Sequence, residues 1–116
     1  MAPRFSIVTP IYDPPQYAFE KCIESVLAQK CTDWEWCLVD DSSRSDWIRA
    51  RLTQLQATDN RIKVYFRSEN GGIVVASNDA LSLVSGDFVV LLDNDDELHP
   101  DALNDRWRHP LVRAPL

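Results

Sequence analysis

The segment Phe88-Val89-Val90-Leu91-Leu92-Asp93-Asn94-Asp95-Asp96-Glu97 decides the fold class of this chain. Its first five residues are continuously apolar, which is typical of a strand covered on both faces, as in a parallel sheet. The acidic run that follows ends this strand abruptly. Because parallel strands need crossover connections, usually helices, we expect strands and helices to alternate in the rest of the chain.

Three upstream runs are predicted as strands, and helical patterns separate them. Residues 5–9 are a short apolar run, residues 34–39 are aromatic and β-branched, and residues 62–66 form the third run. Apolar residues recur at helical spacing in the segments between. The residues that we expect these helices to bury are Phe19, Cys22, Ile23, Val26 and Leu27 in the first, Trp47, Ile48, Leu52 and Leu55 in the second, and Ile73, Ala76, Ala80, Leu81 and Val84 in the third.

Local signals predict where the helices begin and end. Residues 14–15 are both proline and can open the first helix, where a missing N–H costs little. The serines at 42–43 are N-cap candidates for the second helix, and Gly86 suits the cap after the third. A fourth helix is expected over residues 100–103.

The repeated strand–helix unit predicts an α/β fold with a mostly parallel sheet and helices on both faces. Residues 1–105 would form this domain. Residues 106–116 contain two prolines, no acid and no helical stripe. We therefore expect a tail of uncertain structure there.

Composition limits the classes of partner. The chain has 116 residues, about one domain, and a net charge of −6. An acidic chain repels phosphate backbones, so nucleic acid is not the expected partner. A single diphosphate ligand stays compatible if a bound cation neutralises the local acids.

Cysteine spacing and hydropathy indicate the compartment. Cys22, Cys31 and Cys37 are odd in number and form no CxxC pair, so we expect reduced thiols rather than a disulfide framework or a zinc site. The first apolar run is too short for a signal peptide, and no run approaches the roughly 18 residues of a membrane span. The expected location is cytoplasmic, including the inner face of the membrane.

A cluster of polar or turn-forming residues follows each predicted strand, at residues 9–13, 40–41, 70–72 and 93–96. In open α/β sheets, ligands bind outside the carboxyl ends of the strands. Four clusters at one edge therefore predict a binding site, although any one of them alone would be weak.

Asp93 and Asp95 are the sharpest signal among these clusters. Residues i and i+2 of an extended segment point the same way, and aspartate oxygens suit Mg²⁺ and Mn²⁺. The acids by themselves fit a solvated loop that caps the next helix equally well. The buried strand directly before them favours the site.

The remaining clusters have equally plain structural explanations. One of Asp40 and Asp41 can cap a helix, which leaves the other to bond a base. Residues 70–72 can be only a turn that needs a positive φ, and Tyr12 can be ordinary packing.

Five segments occur in the order of a known family: Ser6-Ile7-Val8-Thr9-Pro10-Ile11-Tyr12-Asp13, Ser25-Val26-Leu27-Ala28-Gln29, Leu38-Val39-Asp40-Asp41-Ser42-Ser43, Asn70-Gly71-Gly72-Ile73 with Ala76-Ser77-Asn78, and Leu91-Leu92-Asp93-Asn94-Asp95-Asp96-Glu97-Leu98. Together they resemble the amino-terminal half of family 2 glycosyltransferases. The resemblance covers about Phe5 to Leu103 and implies an incomplete, Rossmann-like A-type fold. Residues 1–105 would be its nucleotide-sugar-binding half.

The resemblance implies roles for these positions. Tyr12 would lie against the base, and Asp41 would accept a hydrogen bond from a uracil or thymine ring, with Asp40 in support. The implied nucleotide-binding residues are Pro10, Tyr12, Asp40, Asp41, Asn70, Gly71, Asp93, Asn94 and Asp95. The implied ligands of Mn²⁺ or Mg²⁺ are Asp95 and Asp96.

The implied reaction moves a sugar from a UDP- or dTDP-sugar to an acceptor hydroxyl with inversion, in bacterial polysaccharide or cell-surface glycan synthesis. The metal would stabilise the leaving diphosphate, and the acceptor would be a carbohydrate or a lipid-linked molecule. An unfinished sheet edge invites pairing with another chain, so a homodimer is a further expectation.

Two features depart from the family's pattern. Ser77 stands where many relatives carry a basic residue, which puts one phosphate contact in doubt. The family's general-base carboxylate lies well after the acidic motif, and Asp101 and Asp105 are too near it. The base is therefore expected beyond Leu116, and no catalytic residue is identified. The alternative is a truncated sugar-nucleotide-binding module without transfer activity.

Other enzyme classes fit the placement of the acids less well. A receiver domain would have its acid pair after the first strand. A haloacid-dehalogenase-like phosphatase would have DxD there, where Asp13 has no partner. A sugar nucleotidyltransferase would have a glycine-rich basic loop at residues 9–15, which contain neither glycine nor a basic residue.

Overall fold

A computed structural model describes residues 2–103 and the backbone of residues 111–113. Its elements, in chain order, are β1 (Phe5–Ile11), α1 (Gln16–Leu27), β2 (Trp34–Asp40), α2 (Asp46–Thr58), β3 (Ile62–Phe66), α3 (Ile73–Leu81), β4 (Phe88–Leu91) and β5 (Leu111–Arg113). They form one sheet in the order β3-β2-β1-β4-β5. Strands β1 to β4 pair in parallel, and β5 runs antiparallel to β4. The predicted mostly parallel α/β sheet is confirmed.

Helices cover both faces of this sheet, as the continuous apolar strands predict. On one face, α1 and α2 bury side chains such as Phe19 and Leu52 against Trp36 of β2. On the other face, Ala76 and Ala80 of α3 pack against Val8, Val39 and Val89. The small alanines bring α3 close to the sheet, and its amino end reaches the edge where β1, β2 and β4 finish.

Three residues of the predicted stripes are not buried. Leu27 is exposed at the end of α1, and Ile73 and Leu81, at the two ends of α3, are 66% and 37% exposed. Helix α3 meets the sheet mainly through its central alanines, so its first and last residues project beyond the contact. Trp47 and Val84 are only partly buried.

The predicted helix caps are wrong in two places. Helix α2 begins after Ser45 rather than after residues 42–43, because Ser43 is bonded to Asp40 instead. Helix α3 ends at Leu81, so Gly86 is no cap. Gly86 lies against β1, where an added Cβ would be 2.7 Å from Ser6 Oγ.

No helix begins within residues 100–103 of the described chain, so the predicted fourth helix is wrong there. These residues form a turn in which the Ala102 N–H donates to the His99 carbonyl at 2.9 Å. The Pro100 carbonyl and the Leu103 N–H, which a helix would pair internally, are bonded instead to Lys30 and Gln29, just after α1. In the predicted tail, residues 111–113 pair as β5, and the rest of that tail lies outside the described residues.

The three cysteines lie at different depths in the described structure. Cys22, Cys31 and Cys37 are free thiols, and the first and last of them are buried. Burial, reinforced by the charge of Glu35, raises the pKa of Cys37 to about 12. No helix in the described part of the chain is both long and apolar enough to cross a membrane.

Glu35, a buried acid near the start of β2, bonds groups at the amino ends of the parallel strands. Its carboxylate accepts hydrogen bonds from Ser6 Oγ at 2.5 Å and from the Ser85 N–H and hydroxyl at 2.5 and 2.8 Å. Lys63 Nζ lies 2.6 Å away. Burial raises the pKa of Glu35, but the bonds from Lys63, Ser6 and Ser85 outweigh it and hold the pKa below its usual value.

We expect Glu35→Gln to lower the free energy of unfolding at neutral pH by about 3 kcal/mol, because an amide cannot satisfy these donors. A carboxyl whose folded pKa is depressed stabilises the fold above its unfolded pKa, and this contribution is lost as the pH falls through the folded pKa. The difference between the two proteins should therefore shrink below the usual glutamate value of 4.5. Urea unfolding across this range measures it. The exposed Glu24→Gln is the control, and a constant difference at all pH values would contradict the assignment.

Candidate functional site

A cleft of about 450 Å³ opens at the carboxyl ends of the parallel strands. All of the predicted site residues line it except Asp40, Gly71 and Asp96. The lining residues are Pro10, Ile11, Tyr12, Asp41, Asn70, Gly72, Ile73, Ala76, Asp93, Asn94 and Asp95. The tertiary structure therefore joins the clusters that follow β1, β2, β3 and β4.

Asp41 forms one wall of the cleft and is only 3% exposed. Its two carboxylate oxygens accept the N–H groups of Gly71 and Gly72, each at 2.9 Å. Arg67 Nε lies 3.1 Å from the same carboxylate, and the Arg67 guanidinium also pairs with Asp79. Asp41 thus holds the loop that leads into α3.

The two glycines of this loop are required for different reasons. Gly72 has a φ of 91°, a backbone conformation that favours glycine. At Gly71 an added Cβ would lie 2.9 Å from both Arg67 Nη2 and Val75 Cγ1. The predicted need for a positive φ is confirmed at Gly72, and it is Gly72 that lines the cleft while Gly71 lies behind it.

Asp40 lies outside the cleft and closes the turn after β2. Its Oδ1 accepts from the Ser43 hydroxyl at 2.5 Å and from the Ser43 N–H at 3.2 Å. The same hydroxyl accepts the Asp13 N–H at 3.1 Å. The supporting role expected of Asp40 stays a prediction, and in this structure its bonds shape the turn behind Asp41.

Asp13 fastens the loop after β1 to the loop after β2. Its carboxylate accepts the N–H groups of Arg44 at 3.0 and 3.1 Å and of Ser45 at 3.1 Å. Burial raises the pKa of Asp13, but these bonds outweigh it and hold the pKa below its usual value. The sequence indicated no such role, because the residues concerned lie about thirty positions apart.

Asn94 and Tyr12 connect two other sides of the cleft. Asn94 Oδ1 accepts the Tyr12 N–H at 3.1 Å. The Tyr12 residue is 45% exposed, so part of its surface is open to solvent at the cleft. Its expected contact with a base stays a prediction.

Three exposed acids converge in the turn after β4, and two of them, Asp93 and Asp95, line the cleft. Asp93, Asp95 and Asp96 each offer a carboxylate oxygen, and these oxygens all lie within 4.8 Å of one another. A turn brings them together, since the Asp96 N–H donates to the Asp93 carbonyl at 3.2 Å. The extended geometry expected for Asp93 and Asp95 is therefore wrong, although the acids do meet. Three carboxylate oxygens fit a hard divalent cation.

No basic side chain lines the cleft among the described residues. Below the acids, the Cys22 thiol lies 3.6 Å from the Asp93 carbonyl oxygen. Burial, together with the charges of Asp96 and Asp95, raises the pKa of Cys22 to about 12. The thiol is therefore protonated at neutral pH and acts as a weak donor.

Four lining residues were not predicted as site residues: Ile11, Gly72, Ile73 and Ala76. All of them lie within the motif segments quoted above. Arg67, whose Nε lies 3.1 Å from the Asp41 carboxylate, had no signal at all.

The parallel sheet with helices on both faces and the cleft at its carboxyl edge define the α/β fold of A-type glycosyltransferases. The chain belongs to glycosyl transferase family 2, whose family model matches residues 6–109.

Two sequence relatives and one solved structure illustrate this membership. The chain is 38% identical to a putative teichuronic acid biosynthesis glycosyltransferase, TuaG, of Bacillus subtilis, over 97% of this chain and 44% of that protein. It is 40% identical to an Escherichia coli chondroitin synthase over 97% of this chain and 16% of that protein. The crystal structure of Staphylococcus aureus TarS 1–349 in complex with UDP-GlcNAc gives a TM-score of 0.74 at 29% identity, covering 89% of this chain and 30% of that chain. The chain spans less than half the length of each.

Proposed function

We propose that the cleft binds the nucleoside diphosphate of a UDP- or dTDP-sugar together with Mn²⁺ or Mg²⁺. One observation carries the proposal: two of three convergent acids line the cleft, and no described basic side chain lines it. A diphosphate would be repelled by these acids alone. With a divalent cation between them, acids and phosphates become ligands of the same ion.

The same cleft would hold a planar base. Pro10, Ile11 and Ala76 line it together with Asp41 and Asn70. Each Asp41 oxygen accepts one backbone N–H in the structure. An ionised carboxylate offers about four acceptor sites, so Asp41 retains capacity for the ring N–H of uracil or thymine. The UDP complexes of TarS support this choice of nucleotide.

The reaction that we propose is sugar transfer to an acceptor hydroxyl with inversion at the anomeric carbon. Asp41 and the 70–72 loop would hold the base, and the turn at Asp93 would orient the diphosphate so that one face of the sugar stays open to the acceptor. The bound cation would supply charge stabilisation to the leaving diphosphate. We assign the general base to no described residue.

The relatives support a setting in polysaccharide or cell-surface glycan synthesis. One is named for teichuronic acid biosynthesis, another as a chondroitin synthase, and a third as an O-antigen biosynthesis protein of Myxococcus xanthus. A carbohydrate or a lipid-linked carbohydrate is therefore the proposed acceptor.

Binding without transfer is the second candidate. It is favoured by the engagement of the acids that line the cleft: Asp41 accepts two backbone N–H groups, and Asp93 and Asp95 belong to the acid group. With Asp41 bonded to the loop and the other two proposed to hold the cation, none of these is proposed as a base toward an acceptor. This candidate predicts nucleotide binding with no release of UDP from a UDP-sugar.

Thermal unfolding with UDP, with Mn²⁺ and with both tests the proposal. At about a hundred times the dissociation constant, a ligand stabilises the fold by about 2.7 kcal/mol, which raises Tm by roughly 10 °C in a domain of this size. We expect that shift with both ligands and much less with either alone. No shift with the pair, in a chain that unfolds cooperatively, would contradict the site. Chromatographic detection of UDP released from UDP-GlcNAc then separates the two candidates.

A further inference from the structure

A row of polar side chains on α1 and just beyond its end faces the segment that carries the acids. Cys22, Ser25 and Gln29 are spaced i, i+3 and i+7, which places them on one side of the helix. All three bond to residues 93–103. These bonds join positions about seventy residues apart in the chain.

Ser25 and Gln29 bond the backbone that directly follows the acids. Ser25 Oγ accepts the Leu98 N–H at 2.9 Å. Gln29 Nε2 donates to the His99 carbonyl at 2.8 Å and lies 3.5 Å from the Leu98 carbonyl. Gln29 Oε1 accepts the Leu103 N–H at 3.4 Å. The nitrogen and the oxygen of the Gln29 amide therefore both bond the backbone of residues 98–103.

Because they are buried, these bonds hold residues 98–103 firmly in position. Gln29 is only 5% exposed, so a backbone group that lost this partner would have little access to water, which is costly. The adjacent Lys30 adds a backbone bond to the Pro100 carbonyl at 3.2 Å and an ion pair with Asp101 at 3.0 Å. Residues 92–103 contain no helix or strand, so their position depends on such contacts.

The acids need this support because they repel one another. Three carboxylate oxygens within 4.8 Å favour an open loop whenever no cation lies between them. Anchoring the chain immediately after the acids restrains that opening. The acids are then already arranged to bind a cation, so binding costs less free energy for ordering the loop.

We propose that Gln29 and Ser25 are positioning residues of the metal–nucleotide site, which hold the acidic turn so that Asp93, Asp95 and Asp96 converge. This inference rests on the proposed function for its effect on metal binding. The anchoring itself can be measured without any ligand.

The test compares Gln29→Leu and Ser25→Ala with Glu35→Gln, a destabilising change near the amino ends of the strands, away from the acids. Mn²⁺ affinity is measured by electron paramagnetic resonance well below Tm, without nucleotide. We expect Gln29→Leu to weaken Mn²⁺ binding by about 10- to 100-fold, as for loss of an outer partner of metal ligands. Ser25→Ala should weaken it less, Ser25→Thr should restore it, and Glu35→Gln should leave it unchanged.

Amide hydrogen exchange at Leu98 and Leu103 in the metal-free proteins is the second readout. Both amides should exchange faster in Gln29→Leu, while those of β1 and β2 keep their protection. Unchanged Mn²⁺ affinity in Gln29→Leu and Ser25→Ala would overturn the proposal. If the unmodified chain binds no Mn²⁺ in either the absence or the presence of UDP, the proposed function fails. Faster exchange at Leu98 in the variants would then still support the anchoring, and unchanged exchange would overturn it.

Discussion

Asp95→Asn should abolish the joint stabilisation of the fold by UDP and Mn²⁺. Asp95 lines the cleft and shares the convergent group with Asp93 and Asp96. An amide keeps the shape of the side chain but removes the charge that a hard cation requires. We expect the shift in Tm to fall from roughly 10 °C to about 2 °C or less under the same conditions. Differential scanning calorimetry measures it.

The ligand-free Tm of Asp95→Asn should not fall, because one of three mutually repelling charges has been removed. Asp87→Asn is the matched control, since it makes the same change at an exposed residue just before β4, at the far end of that strand. It should keep the full shift. A full shift in Asp95→Asn would show that the acids hold no cation needed for nucleotide binding.

Asp41→Asn should destabilise the chain even without ligand, by about 3 kcal/mol. Both Asp41 oxygens accept a backbone N–H in a buried position. An asparagine presents an NH₂ group to one of these donors and leaves it unsatisfied, at about 1–3 kcal/mol for each lost partner. Arg67 also loses the charge beside its Nε. Urea unfolding gives the difference in free energy.

The Gly71–Gly72 loop should shift in this variant, so UDP binding should weaken together with stability. Asp79→Asn is the control, because it removes the other partner of Arg67 at a more exposed position. Its loss of stability should be clearly smaller, and its UDP affinity should stay near that of the unmodified chain. If both substitutions lowered stability and UDP affinity equally, the main effect of Asp41 would be its ion pair with Arg67 and not its bonds to the loop.

The sheet was predictable because β4 is continuously apolar, as strands covered on both faces are, and because the other parallel strands are short, largely apolar runs separated by helical patterns. The site was predictable in outline because parallel strands place their carboxyl ends at one edge. This rule was enough to predict that Asp41, Asn70 and Asp93 lie close together. The failures concern helix ends and residues 100–103, where local cap signals are weaker than bonds made to distant side chains.

The sequence by itself determined the four parallel strands, the helices between them and the family, since these depend on short-range periodicity and on motifs of a few residues. Tertiary structure decided which polar atoms meet. Asn94 bonds the Tyr12 backbone across 82 positions, and Gln29 bonds the His99 carbonyl across 70. No periodic pattern encodes such a pair, because it exists only after the sheet has brought the two loops within hydrogen-bond distance. The turn that gathers Asp93, Asp95 and Asp96 was likewise decided by tertiary structure. The chain just beyond it is bonded by Ser25 of α1 and by Gln29, which lies just after α1.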